Sequence, residues 1–487
     1  MPTDPSPATS EVAYLDAVTL VDQMASGRLE SAEVVDTLLR RIADIDGADT
    51  PVALRSVLAL ADDAAEQAAA SDRRRAAGQG GPLEGVPVLV KDNIEVVGLP
   101  SSAGATSLLG RPPAHDADLV GRLKDAGAVI IGSTNLSQWA NIRSSRSSGG
   151  WSAVGGLTGN PWALDRNAGG SSSGSGAAVA AGLAPLAVGT ETDGSITCPA
   201  SVNGISGIKP TVGAVSTSGV VPVSSSQDSP GPLARTVADA ALMLEVLAGR
   251  PGVVARVRRG VEGMRVAVAD GWRTEHPGTD ELFEQTIDVL AQAGAEMVHV
   301  TPAMPSPAEH QDEMVVLLWE LKETMDRYLP TRGPDGPQNL VEVIAHEDAY
   351  AAVEQEWFGH EHFAKALEIA AAGVEAYREA RARNLAWALT TCLEPALAGF
   401  DAMVAPTFGP AWKSDLVLGG HPGKYSPATM APAVAGWPIA TVPMGLTGGL
   451  PVGLGIIGRP GSEGDLLALG ATVERPARPA WLDPRRG

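Results

Sequence analysis

Short apolar runs bounded by glycine constrain the fold of this 487-residue chain more than any other feature. Val86–Val90 and Ala128–Ile131 have the length of buried strands, and a segment with helical spacing, Leu119–Ala126, lies between them. Short runs rich in Val and Ile are typical of strands that are covered on both faces. The strand–helix–strand order therefore predicts an α/β core.

Further patterns extend this core in both directions along the chain. Residues 10–80 are predicted to form an N-terminal helical layer, in which Ser31 can cap a helix and Leu58–Ala70 continues the helical pattern. Residues 131–240 form the centre of the predicted core, and about 303–395 a helical insertion. Because strand-like runs lie on both sides of the insertion, we expect one domain over residues 1–487. The other strand-like runs are Leu186–Val188, Met264–Ala269, Ala402–Ala405, Ile439–Pro443 and Leu454–Ile457.

The net charge of the chain disfavours two classes of binding partner. With 36 basic and 57 acidic residues, the formal net charge of −21 disfavours nucleic acid and a membrane surface as main partners. The first 18 residues show no basic segment before an apolar core, and no apolar run approaches the roughly 20 residues that span a bilayer. Only Cys198 and Cys392 are present, which fits a reducing compartment. We therefore expect a cytoplasmic location.

Serine and glycine dominate residues 144–176, which is also the composition of a flexible linker. This segment, however, leads directly into the apolar run Ala177–Leu186, so it lies between core elements. Three features could combine around it: Lys91 at the end of an apolar strand, the loop Gly169–Gly174, and the segment Gly189–Ile196. Small residues let a substrate approach the backbone, and successive N–H groups in a glycine-containing turn can bind an oxyanion.

Several separate blocks of the chain resemble the amidase signature family. Residues 169–210, GGSSSGSGAAVAAGLAPLAVGTETDGSITCPASVNGISGIKP, resemble its signature segment. The resemblance covers nearly the whole chain and implies a single α/β/α domain with a central mixed sheet covered by helices. The other matching blocks, in the same order, are Lys91–Ile94, Gly132–Ala140, Asp228–Ala240 and Gly449–Gly458.

The resemblance implies a Ser–cis-Ser–Lys triad. The family nucleophile falls at Ser195, its partner serine at Ser171 and the lysine at Lys91, with a cis peptide bond between Gly170 and Ser171. Backbone N–H groups around the nucleophile would form the oxyanion hole. These belong to Thr192, Asp193, Gly194 and Ser195.

Lysine can act as a base only when its amine is neutral. Lowering its pKa from about 10.4 towards 7–8 requires roughly 3–5 kcal/mol of bias against the charged form. Burial at the end of an apolar strand can supply this bias. A proton would then pass from Ser195 through Ser171 to Lys91.

Other motifs allow competing interpretations. Gly170–Gly174 matches the G-x-S-x-G elbow, which would make Ser172 the nucleophile. Ser206–Lys209 matches S-x-x-K, but neither S-D-N nor K-T-G occurs in the chain. His360 and His362 could suggest a metal site, yet alternate residues of a helix point in different directions, which favours a solvated helix face. We expect no cofactor and no metal.

Within the family, three blocks look most like peptide amidases, which release ammonia from C-terminal peptide amides. They are Gly189–Ala200, Ser226–Pro232 and Pro406–Val417. Many family members carry other residues at the positions of Ser173, Glu191 and Asp193, and these departures leave the triad intact. The alternatives are a general aryl or alkyl acylamidase and the ammonia-generating subunit of a tRNA-dependent amidotransferase.

The expected substrate is a small-molecule or short peptide amide, hydrolysed through an acyl-enzyme by a monomer or a homodimer. Substrate-binding residues are expected from the helical insertion and from residues 406–440. Asp228 and Trp437 are the individual residues predicted to bind it.

Overall fold

A computed structural model describes residues 11–420, 427–475 and 479. Eleven strands of this part of the chain form one sheet, and two short strands form a separate hairpin. The strands, in chain order, are β1 (Val57–Leu60), β2 (Pro87–Lys91), β3 (Val129–Thr134), β4 (Trp151–Ser152), β5 (Gly156–Leu157), β6 (Leu186–Glu191), β7 (Ser206–Lys209), β8 (Ser229–Ala234), β9 (Arg265–Ala269), β10 (Glu296–Val300), β11 (Ala402–Pro406), β12 (Ile439–Thr447) and β13 (Leu450–Ile457).

The large sheet is mixed, which confirms the predicted α/β class. Its strand order is β1-β3-β2-β6-β8-β7-β12-β13-β11-β9-β10. Strand β2 runs parallel to both β3 and β6, and β9 runs parallel to both β10 and β11. The remaining pairs are antiparallel. Since β2 and β6 are parallel neighbours, their carboxyl ends meet at one edge of the sheet.

Helices cover the sheet. The main apolar core joins strand residues such as Val88 to helix residues such as Leu38, Leu244 and Leu467. The α-helices are α1 (Ala17–Ala25), α2 (Ser31–Ile45), α3 (Ala64–Ala76), α4 (Asp118–Asp125), α5 (Ser173–Ala180), α6 (Thr197–Asn203), α7 (Val237–Ala248), α8 (Val253–Val257), α9 (Pro277–Gln292), α10 (Pro307–Tyr328), α11 (Leu340–Ala349), α12 (Ala351–Glu354), α13 (Glu361–Ala372), α14 (Val374–Leu385), α15 (Glu394–Ala396), α16 (Met430–Ala435) and α17 (Glu463–Val473).

Shorter helical turns complete these elements. A π-helical stretch, Ala386–Leu393, joins α14 to α15. The 3₁₀ turns are Thr106–Leu108, Gln138–Asn141, Asp270–Trp272 and Leu329–Arg332.

The N-terminal segment differs from the predicted helical layer over residues 10–80. Strand β1 lies within it and pairs antiparallel with β3, with Val57 opposite Thr134. The helical pattern assigned to Leu58–Ala70 is therefore wrong at its start, because the helix begins only at Ala64. Pairing with an open sheet edge overrides the local helical spacing here.

Sequence patterns also missed three further strands of the large sheet, β7, β8 and β10, and both strands of the separate hairpin. Of these, β8 contains Pro230 and Pro232 and still lies inside the sheet between β6 and β7. Proline lacks the N–H that an inner strand normally donates, so the sequence of β8 is not typical of a strand inside a sheet.

Residues 303–395, which the sequence predicts to be a helical insertion, contain helices α10 to α14. Helix α10 packs on α13 and α14. Its Leu318 and Met325 belong to an apolar cluster with Phe363 of α13 and with Trp139, which follows β3. The insertion thus rests on the segment that precedes the serine- and glycine-rich loop.

A buried cation joins the insertion to this segment. Arg143 is fully buried, with its Nη1 3.5 Å from a carboxylate oxygen of Glu347 and 3.8 Å from one of Glu354. Its guanidinium also stacks over the rings of Trp151 and Phe358. Charges removed from water are stable only when they are paired, so Arg143 stabilises both carboxylates, and His360 adds a second partner for Glu347.

Within the described part of the chain, no helix combines the length and the apolar composition that crossing a bilayer requires.

Replacing Arg143 with methionine should lower the free energy of unfolding by about 3–5 kcal/mol, because Glu347 and Glu354 would lose their buried cation. Urea denaturation of the purified variant measures this change. Arg378→Met is the matched control, since Arg378 is 64% exposed and its pair with Glu375 contributes little. Equal effects of the two substitutions would contradict the structural role of Arg143.

Candidate active site

The end of β2 places Lys91 in the interior. The register of β2 against β6 sets Val90 opposite Val188, so Lys91 lies beside the end of β6. Its side chain is fully buried. Lys91 Nζ lies 2.8 Å from Ser171 Oγ, 2.8 Å from Thr190 Oγ1 and 3.3 Å from the Thr190 carbonyl oxygen. Asn93 Nδ2 donates to the same threonine hydroxyl at 3.0 Å.

Burial controls the charge of this amine. Removal from water lowers the pKa of Lys91 from its ordinary 10.5 to about 7, although the carboxylates of Asp228 and Glu191 oppose the shift. A substantial fraction of Lys91 is therefore neutral near neutral pH. A neutral amine in hydrogen-bond contact with a hydroxyl can accept its proton.

The serine-rich loop brings Ser171 to Lys91. The peptide bond between Gly170 and Ser171 is cis, and helix α5 begins two residues further on, at Ser173. Ser172 faces elsewhere: its buried hydroxyl donates to the Thr190 carbonyl at 3.1 Å and accepts from the Thr190 N–H at 3.2 Å. A hydroxyl occupied in this way is a poor nucleophile, which weakens the elbow interpretation.

A tight turn, residues 192–195, follows β6 and is held at both ends. Glu191 Oε2 accepts the backbone N–H groups of Ile196 and Thr197 at 2.7 and 2.8 Å, where helix α6 begins. Thr192 Oγ1 donates to Asp228 Oδ1 at 2.6 Å. Gly194 has a φ of +76°, a conformation that glycine adopts without strain.

The backbone N–H groups of this turn are available to a ligand. Within the described residues, none of the N–H groups of Thr192, Asp193, Gly194 and Ser195 makes a hydrogen bond. Ser195 itself is anchored through its carbonyl oxygen, which accepts the Ser172 N–H at 3.1 Å. Unpaired N–H groups around a serine can stabilise the negative oxygen that forms when the serine attacks a carbonyl.

Ser171 and Ser195 both line a cavity of about 340 Å³. This volume lies in the range typical of sites for small ligands. Leu317 comes from insertion helix α10, and Phe408, Trp412 and Thr429 come from the C-terminal half. The other lining residues are Ala140, Asn141, Ile142, Ser144, Ser145, Ser147, Gly149, Gly170, Thr192, Asp193, Gly194, Cys198, Val223 and Gly420.

Two residues predicted to bind substrate do not line this cavity. Besides holding Thr192, Asp228 accepts the backbone N–H groups of Val223 and Ser224 at 2.8 and 2.9 Å. Trp437 accepts Lys209 Nζ on its carbonyl oxygen at 2.6 Å and packs in an apolar cluster. Both residues support neighbouring segments, and neither contacts the cavity.

The sequence predicted which regions of the chain form the cavity wall, but not which residues. Leu317 lies in the expected insertion, and Phe408, Trp412 and Thr429 lie within residues 406–440. Thr190, which holds the amine of Lys91, was not singled out. Its place in Gly189–Ile196 was the available signal, because this segment includes the end of β6, the parallel neighbour of the strand that carries Lys91.

The other motifs do not form the contacts that their chemistry requires. Ser206 Oγ has no partner among the described residues, while Lys209 Nζ binds the carbonyl oxygens of Trp437 and Pro210, so no Ser–Lys pair forms. His360 Nδ1 contacts Glu347 Oε2, and His362 Nδ1 contacts the Ile142 carbonyl oxygen. No cluster of metal-ligating side chains occurs in residues 11–420, 427–475 and 479.

Fold and site together define a class of enzyme. The family model described as Amidase matches residues 33–467. The chain therefore belongs to the amidase signature family, whose activity is amide hydrolysis, as the sequence predicted.

Particular relatives are similar over almost the whole chain. The native peptide amidase from Stenotrophomonas maltophilia is 42% identical, with a TM-score of 0.89 over 96% of this chain and 99% of that chain. A glutamyl-tRNA(Gln) amidotransferase subunit of Symbiobacterium thermophilum is 34% identical, over 96% of this chain and 99% of the relative. The corresponding subunit of Thermobifida fusca is 35% identical over 97% of each chain.

Amidase activity should rise with pH around 7. Lys91 accepts a proton only when neutral, and its pKa is about 7, so kcat/KM increases as pH rises through that value. Lys91→Met should lower kcat by about 100-fold or more and abolish this limb of the profile. Initial rates across the pH range, with circular dichroism to verify folding, measure both effects. Lys365→Met, at a 58% exposed lysine, is the control, and a Lys91→Met enzyme with an unchanged profile would refute this role.

Proposed function

We propose that this protein is a serine amidohydrolase that converts C-terminal peptide amides to free acids and ammonia through an acyl-enzyme. The observation that carries the proposal is the 2.8 Å contact between Lys91 and Ser171 in a site where Ser195 lies among unpaired N–H groups. Base, relay hydroxyl, nucleophile and oxyanion donors are the four parts that acyl transfer needs.

In the proposed mechanism, Ser195 Oγ attacks the carboxamide carbon while its proton passes to Ser171 Oγ, whose own proton passes to Lys91 Nζ. The carbonyl oxygen becomes negative against the N–H groups of residues 192–195. The C–N bond then breaks as the proton returns through Ser171 to the leaving nitrogen, which departs as ammonia. Water attacks the acyl-enzyme by the same proton route and releases the acid.

The hydrogen-bond contacts of Lys91 support proton transfer from Ser171 Oγ to its amine. Thr190 offers two acceptors, its carbonyl oxygen and its hydroxyl oxygen, to the hydrogens of the amine. When the amine is neutral, these contacts direct its lone pair towards Ser171 Oγ. Thr190 would therefore act as a positioning residue for the base.

Peptide amides are favoured over other amides because the structural relative with 42% identity over nearly the whole chain is a peptide amidase. A second candidate, the ammonia-generating amidotransferase component, is favoured by the names of curated relatives at 34–35% identity. We further propose a monomer or homodimer that acts in the cytoplasm. Cys198 and Cys392 are both free and buried, as is usual in reducing compartments.

Ser195 should be the residue that a fluorophosphonate labels, because it combines the activating relay with the oxyanion donors. Intact-mass analysis should show one adduct, which Ser195→Ala abolishes. Peptide mapping locates the adduct. Its appearance on Ser172 instead would support the elbow interpretation and contradict the proposed triad.

A short peptide with a C-terminal carboxamide should gain about one mass unit and release ammonia, while its internal peptide bonds stay intact. Mass spectrometry and an ammonia assay measure the two products, and the same peptide with a free C-terminus is the control. Turnover of simple alkyl or aryl amides alone would make the protein a general acylamidase. Glutamine-dependent activity that appears only with partner proteins would identify the amidotransferase class.

A further inference from the structure

The active-site cavity contains one ionisable acid whose role the proposed mechanism leaves open. The backbone N–H of Asp193 belongs to the proposed oxyanion hole, but the carboxyl group of this residue takes no part in the proton relay. Among the described residues that line the cavity, no other side chain is a carboxylic acid or a permanent cation. Its Oδ1 is buried and has no hydrogen-bond partner among the described residues.

An unpaired carboxylate oxygen in a binding cavity requires an N–H or O–H donor, because an unmet acceptor in a buried place is costly. The Thr429 hydroxyl interacts with the Asp193 carboxyl group but leaves its Oδ1 unpaired, and two other donors of the protein are engaged elsewhere. Lys209 Nζ binds two carbonyl oxygens, and Gln227 Nε2 donates to Glu313 at 3.0 Å. A donor supplied by the substrate would meet this requirement.

The position of Asp193 restricts which substrate atom that donor can be. The same residue is predicted to bind the substrate carbonyl oxygen through its backbone N–H. In an amino-acid amide, the α-nitrogen is separated from the carbonyl carbon by one atom, so it lies close to that oxygen. A carboxylate on the oxyanion-binding residue is therefore well placed to accept a hydrogen bond from the α-nitrogen.

We infer that the Asp193 carboxylate accepts a hydrogen bond from the α-nitrogen of the residue that carries the scissile carboxamide. Asp193 thereby selects amino-acid and peptide amides over simple alkyl and aryl amides. This inference rests on the proposed function and assigns to one side chain the choice between peptide amides and other amides.

The surroundings of Asp193 determine when it carries a charge. Burial raises its pKa to about 6, with Glu191 adding to the shift, while the Thr429 hydroxyl and Lys209 lower it. Glu313 faces it from helix α10, and burial together with the charge of Asp193 raises the pKa of Glu313 well above its ordinary value. Cys198 also lies nearby, and burial raises the pKa of its thiol to about 12. Near neutral pH, most of Asp193 is therefore ionised, and its charge favours the protonated form of Glu313.

The test compares N-acetyl-phenylalaninamide with 3-phenylpropionamide, which has the same carboxamide and ring but no α-nitrogen. The quantity measured is the ratio of the two kcat/KM values within each variant, so that effects shared by both substrates cancel. The wild-type ratio should favour the acetylated amino-acid amide by about tenfold or more and should rise with pH around 6.

Asp193→Asn should reduce this preference by about tenfold and remove its dependence on pH, since the carboxylate is absent. Thr429→Val should keep the preference but move its midpoint to higher pH, because the hydroxyl that lowers the pKa of Asp193 is lost. Asp165→Asn, at a 64% exposed carboxylate, is the control and should leave the ratio unchanged.

A wild-type enzyme that hydrolyses both compounds equally, or an Asp193→Asn ratio that matches wild type at every pH, would overturn the inference and leave the proposed function standing. If Asp193→Asn does not fold, a wild-type ratio that does not change with pH around 6 would overturn it. Hydrolysis of neither compound would overturn the proposed function, and this inference with it.

Discussion

The burial of Lys91 is the constraint on which the rest of the site depends. A lysine at the end of a fully covered strand must lose its water, and this loss brings the amine towards neutrality. The surrounding contacts are polar but uncharged, namely two oxygens of Thr190 and the hydroxyl of Ser171. An adjacent carboxylate in direct contact would have stabilised the ammonium form. The fold instead keeps Asp228 and Glu191 occupied with backbone N–H groups and hydroxyls, so that their charges act on the amine only from a distance.

The same arrangement of carboxylates shapes the oxyanion turn. Glu191 binds the first N–H groups of helix α6, and Asp228 holds the Thr192 side chain. The turn between these two anchors can then leave its own N–H groups unpaired, which an unsupported loop would satisfy by folding back on itself. Asp228, which the sequence predicts to bind substrate, thus serves to support the backbone, as Glu191 does.

Much of the sheet around the site could be predicted because its strands are continuous apolar runs: β2, β3 and β6 each correspond to one. Strand β8 could not, since Pro230 and Pro232 weaken its local signal and its position depends on neighbours distant in the chain. The candidate triad residues were assigned by resemblance to family motifs, and they remain a prediction. The cavity wall was predicted only as regions, because Leu317 and Trp412 meet the serine loop through tertiary packing that local patterns do not encode.

The buried contact between Arg143 and the insertion bears on how the parts of this chain could be exchanged with those of a relative. Glu347 and Glu354 lie on the insertion, whereas their cation lies on the segment that forms the cavity wall. A chimaera that received the insertion without an arginine at position 143 would lose the guanidinium beside both carboxylates, and His360 would remain as a partner for Glu347 alone. The insertion and the segment that carries Arg143 should therefore be exchanged together, even in a chimaera that retains every residue of the candidate triad.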